Sequence, residues 1–210
     1  MERTEIENDS APDQAARITR PLASGLSVLA GVLRLLPLPP NFAPVGALGL
    51  FGGARLRSWQ AFVVPMAVML ASDVLLAKLR GREYLFHPVT LFVYASFLIY
   101  VVIGRALRRT ESPWWIAAAS FLGSIQFFLV TNFGQWLVMG IAPGTKSILE
   151  PGQYYLTFAG LIECYAQALP FYRTTLLSDL LFTAVFFGLH ALLTRTYFVA
   201  ERVPVRKDRE

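Results

Sequence analysis

The sequence predicts an all-α fold, a polytopic membrane bundle of about six transmembrane helices. Two observations predict it. First, 55% of the residues are hydrophobic and only 16% are charged, less charge than the surface of a soluble domain this size carries. The mean hydropathy of +0.49 agrees. Second, the apolar residues gather into six stretches, with Lys and Arg confined to short clusters between them, as membrane topology requires.

A helix needs about 20 apolar residues to cross the hydrocarbon core. On that scale the spans fall at 21–36, 42–54, 58–77, 85–103, 113–139 and 174–199, within a membrane domain covering 21–199. The first two are short, and the turn Pro37-Leu38-Pro39-Pro40-Asn41 separates them, because proline cannot continue a helix. Residues 1–20, polar and acidic, read as a disordered cytoplasmic tail without the basic start and short apolar run of a cleavable signal. Residues 200–210 form a basic tail. Between the fifth and sixth spans, 140–173 reads as an outer loop. Its second part, 154–169, is a short lid helix stopped by Pro170.

Lys and Arg set the orientation. Thirteen of the nineteen fall on one side, among them Arg55, Arg57, Arg105, Arg108, Arg109 and the C-terminal cluster. Five fall on the other: Lys78, Arg80, Arg82, Lys146 and Arg173. The richer side is cytoplasmic, so both termini lie inside.

With that orientation, polar residues from five segments converge in the outer half of the bundle. Asp73 and Asp179 each follow a serine within an apolar span, and an acid inside a membrane span marks a functional site or a paired structural charge. The candidate ligand-binding set is Asn41, Asp73, Asn132, Trp136, Glu163 and Asp179, with Arg34 at the same depth. Each has a plainer reading: the acids as partners of Arg34 or Arg173, Asn132 as interhelical glue, Trp136 as an interfacial anchor. His190, eleven residues beyond Asp179, fits packing better than a proton relay. Asn41-Phe42 and Asn132-Phe133 form a partial internal echo.

Small residues give a second signal. Ala23, Ser27 and Gly31 recur every four positions on the first span, and Gly46, Gly49, Gly52 and Gly53 crowd the second. Such strips allow close helix packing, within the bundle or against a partner. For the first span the partner reading stays open.

Several chemistries find no support. Cys164 is the only cysteine, and with only His87 and His190 beside it no metal motif or cofactor site is predicted. Gly144-Thr145-Lys146-Ser147 lacks the leading glycine of a phosphate-binding loop. The basic residues show no aromatic-basic stripe for nucleic acid. The chain therefore reads as a non-enzyme, with intramembrane aspartyl chemistry as a minor alternative.

The strings PPNFAPVGALGLFGG (39–53), TNFGQW (131–136) and ALPFYRTTLLSDLLFTAVFFG (168–188) resemble an uncharacterised family of bacterial integral-membrane proteins regarded as transport proteins. That family in turn is similar to the substrate-binding S components of energy-coupling-factor (ECF) transporters. The resemblance implies six helices in the bacterial cytoplasmic membrane and a micronutrient-like solute bound near the extracytoplasmic face. It also implies a membrane coupling protein driven by ATPases, touching small residues of the first helix, here Ala23, Ser27 and Gly31. The expected function is solute capture for uptake. The alternative is a structural or scaffold protein of the cell envelope, with the acids as buried pairing residues.

Overall fold

An eleven-residue helix, about 16 Å long and too short to cross a bilayer, lies at the centre of the molecule. The computed structural model describes residues 10–80, 87–141 and 154–201, and among them it is all-helical. Six α-helices follow in order: α1 Ser10–Leu33, α2 Val45–Arg55, α3 Gln60–Arg80, α4 Thr90–Ala106, α5 Pro113–Ile141 and α6 Phe158–Glu201. A 3-10 turn at Leu107–Arg109 closes α4. Helices α3 to α6 are each long and apolar enough to span a membrane.

The short helix is α2, and every residue from Gly46 to Ala54 is buried. Glycine makes that possible. A Cβ on Gly53 would run into the carbonyl of Val101, and one on Gly104 into the carbonyl of Leu50, so the backbones of α2 and α4 cross with nothing between them. Pro65 of α3 fills the space over Gly52. Phe51 reaches the other way, edge-on to Phe187 with ring centroids 5.3 Å apart and against His190 at 5.6 Å. All six helices contribute to the core, including Leu26, Leu50, Met69, Phe97, Ile116 and Phe186.

The exterior also carries many apolar side chains. Val32, Leu79, Leu91, Val102, Leu122 and Leu192 are exposed, on helices whose outward faces suit lipid. The alternating helices give the bundle two ends. The upper end holds the α1–α2 connection, the C-terminal ends of α3 and α5 and the N-terminal ends of α4 and α6; the lower end holds the α2–α3 and α4–α5 connections. At the lower end Arg55 donates to the Thr110 carbonyl at 3.1 Å, pairs with Glu111 at 3.2 Å and lies over the Phe187 ring. Trp59, Trp114 and Trp115 are exposed there, where amphipathic rings suit a membrane interface.

Three expectations change. Helix α1 begins at Ser10, well inside the stretch expected as a disordered tail. Pro170 does not stop a helix: α6 runs 44 residues straight through it, about 66 Å by helical rise. The lost backbone bond is tolerated because apolar helices packed on a neighbour keep proline-interrupted turns in place, and here the Tyr172 ring rests on Phe128 of α5 at 4.9 Å. Residues 154–169 therefore form no separate lid. They lie along α5, with the Tyr165 hydroxyl donating to the Leu129 carbonyl at 2.7 Å and Cys164 Sγ to the Asn132 carbonyl at 3.4 Å. Residues 142–153 of the expected outer loop, and the C-terminal tail beyond 201, lie outside the described residues.

Candidate functional site

Both Ser-Asp pairs sit in the upper half of the bundle, and each acid meets a tyrosine from α4. Tyr94 donates its hydroxyl to Asp73 Oδ2 at 2.7 Å, and Tyr100 donates to Asp179 Oδ2. Six residues apart, the two tyrosines point about 240° from each other round the helix. Helix α4 thus supplies one phenol to α3 and one to α6.

The surroundings of the two acids differ. Asp73, 3% exposed, forms an ion pair with the Arg34 guanidinium from the end of α1. The same Arg34 nitrogen donates to Ser72 Oγ at 2.7 Å, and Ser72 Oγ in turn donates to the Met69 carbonyl at 2.8 Å. Asp73 is therefore a compensated charge, with its serine helping to hold the arginine. Asp179 is 2% exposed and accepts from the neutral phenol of Tyr100, with the neutral Ser124 hydroxyl also acting on it. Ser178 anchors the site to the α1–α2 connection by donating to the Ala43 carbonyl at 2.9 Å. Asn41 in that connection turns with φ 60°, a left-handed conformation that asparagine tolerates better than most residues.

Between these groups lies a cavity of about 510 Å³. Its charged lining residues are Arg34 and Asp179; Tyr100, Asn41 and Thr175 add polar groups, and Phe42, Val45, Met69, Leu76, Val93 and Phe127 give an apolar wall. Gly46 sits where a Cβ would collide with both the Asp179 carboxylate and the Tyr100 ring. Its missing side chain lets the acid and the phenol meet at the cavity wall. A side cavity of about 170 Å³ adjoins, sharing Asn41, Phe127 and Thr175 and adding Asn132 and Tyr172. The Tyr172 hydroxyl is buried there with no hydrogen-bond partner among the described residues.

The expected site residues are only partly brought together. Asn41 and Asp179 line the main cavity. Asp73 lies outside its lining and acts on it through Arg34, which corrects the expectation of two acids in one pocket. Asn132 lines the side cavity, but its amide donates back along its own helix to the Phe128 carbonyl at 2.7 Å. Trp136 clips the segment before α6, donating from Nε1 to the Tyr155 carbonyl at 2.9 Å. Glu163 is exposed and accepts from Gln167 on the next turn at 3.1 Å. No residue of 154–169 other than Ala168 lines either upper cavity. Asn41 in a turn and Asn132 inside a helix are not structural equivalents, so the internal echo has no counterpart in the fold.

The small-residue strip also finds its place. Ala23 and Ser27 are buried at 0% and 1% exposure, and Gly31 takes Val68 of α3 where a side chain would stand. The strip packs α1 within the chain. Tyr94 and Tyr100 were not singled out in the sequence, because a tyrosine in an apolar helix reads equally as packing or as an interfacial anchor.

No curated protein and no solved structure matches the chain. One family model does, over residues 14–203, and the protein accordingly belongs to that family, a family of unknown function designated DUF6580.

Proposed function

We propose that the protein is the solute-binding component of a membrane transport system, capturing a small micronutrient-like molecule in the upper cavity. One observation carries this reading: an apolar cavity of about 510 Å³ with a buried acid, Asp179, at its wall. A cavity of this size with a few convergent polar groups is the usual form of a small-molecule site, and an intramembrane acid with no charged partner among the described residues is costly to keep for packing alone.

In this reading the upper end faces the extracytoplasmic side of a bacterial cytoplasmic membrane and both termini are cytoplasmic. Arg57, Arg108 and Arg109, exposed at the lower end beside Trp59, Trp114 and Trp115, support that orientation. The six-helix count agrees with the resemblance to ECF S components. In this reading Asp179 serves binding rather than catalysis, and release falls to a membrane coupling partner with ATPases. That partner docks elsewhere than Ala23, Ser27 and Gly31, which α1 uses inside the chain.

The scaffold reading draws support from the Arg34–Asp73 pair, a buried charge fully used in packing. It gives no reason for a cavity at Asp179. The two separate in a thermal-unfolding screen of the purified protein against small water-soluble solutes. A stabilising solute whose effect disappears in Thr175→Trp, which fills the cavity, supports transport. A complete absence of stabilising solutes supports the scaffold.

A further inference from the structure

Of the two charges lining the upper cavity, one is already taken. Arg34 is held by Asp73, Ser72 and the Met69 carbonyl. An anionic ligand that captured Arg34 would strip Asp73, 3% exposed, of its counter-charge, and breaking a buried pair is strongly unfavourable. Asp179 presents the opposite case. Its hydrogen-bond partner is a phenol that carries no charge, so a cation placed there adds an ion pair without breaking one.

Counting Arg34, Asp73 and Asp179 together, the site carries one positive and two negative formal charges. A cation beside Asp179 would balance that count and hold its carboxyl in the ionised form. The remaining wall, including Phe42, Val93 and Phe127, offers apolar and aromatic surface and calls for an apolar body on the same molecule.

Resting on the solute-binding reading above, we propose that the cavity takes an amphipathic organic amine. Its protonated nitrogen pairs with the Asp179 carboxylate where that acid lines the cavity, and its apolar body lies against Phe42, Val93 and Phe127. Tyr100 holds the second face of the carboxylate and fixes its direction. Asn41 and Thr175 offer hydrogen bonds to further polar groups on the solute.

The test uses the full-length protein in detergent or nanodiscs. Arylalkyl amines from benzylamine to 4-phenylbutylamine are compared with the alcohols and carboxylates of the same carbon skeletons. Thermal unfolding and equilibrium competition are read for each. The expected result is saturable stabilisation by the amines, with alcohols and carboxylates at least tenfold weaker. Asp179→Asn removes the preference for the amine, and Thr175→Trp removes binding altogether.

Because Asp179→Asn alters a buried group, the head-group comparison in the unmodified chain stands alone as evidence. Carboxylates or alcohols binding as tightly as the amines, with that binding lost in Thr175→Trp, overturn the amine assignment and leave the solute site standing. Amine effects unchanged in both variants overturn it as well, as non-specific partitioning. No stabilisation by any amine in the series overturns it too, and the wider solute screen then decides the binding reading separately.

Discussion

The Tyr100 hydroxyl on α4 donates to the Asp179 carboxylate on α6 at the wall of the upper cavity, and both side chains are almost completely buried. The contact is possible because Gly46 of α2, which faces both groups, carries no side chain. Three helices thus meet at one polar point inside an otherwise apolar bundle.

Tyr100→Phe leaves Asp179 without this donor. An acceptor stranded in the interior costs about 1–3 kcal/mol, so the variant should unfold at lower temperature while keeping its helical content. Circular dichroism melts in detergent check this. A melt unchanged from the parent would mean that the phenol contributes nothing to the site.

Arg34 and Asp73 make a second prediction with a different sign structure. Arg34→Met strands a buried carboxylate and should cost about 3–5 kcal/mol. Arg34→Met combined with Asp73→Leu removes both charges and should recover much of that loss. A double-mutant cycle measured by reversible unfolding reads the coupling directly. Purely additive losses would contradict the pairing.

Glycine positions separate close packing from open surface. Gly53→Val pushes a branched side chain into the Val101 carbonyl and should cost about 3 kcal/mol, the upper part of the range for overpacking. Gly188→Ala adds a methyl where nothing lies within 4 Å. It should be neutral or stabilise by up to about 1 kcal/mol, the difference in helix propensity. Comparing the two melting temperatures checks the α2–α4 crossing.

Orientation is open to chemical labelling. In a Cys164→Ala background, a cysteine at Asn41 should react with an impermeant thiol reagent added to intact cells. A cysteine at Glu111, whose side chain is 67% exposed at the lower end, should react only after the membrane is opened. The reverse pattern would invert the topology and move the cavity to the cytoplasmic side.

Much of this fold was legible because helix-length apolar runs are separated by prolines and arginines. The fifth span, expected at 113–139, is the helix Pro113–Ile141, and the third, expected at 58–77, is Gln60–Arg80. Pro170 misled because a local breaker rule takes no account of α5 lying alongside to hold the chain helical. Asp179 was legible as an acid in an apolar run, and Arg34 as a partner for Asp73. What could not be read was the division of labour between the acids. It depends on Tyr94 and Tyr100 pointing to different sides of α4, and on contacts such as Arg34 to Ser72 that join residues 38 positions apart. The small-residue strip on α1 was visible, but which surface it met was decided only by Val68 of α3.

Solute binding in the cavity at Asp179 is open to direct test. The most direct measurement is thermal unfolding of the purified full-length protein across a library of micronutrient-sized solutes, run in parallel on Asp179→Asn and Thr175→Trp. At least one solute should stabilise the parent saturably and lose at least tenfold in affinity in both variants, while the variants keep the parent's helical content. A library that yields no stabilising solute, or one whose effect is the same in all three proteins, would contradict it.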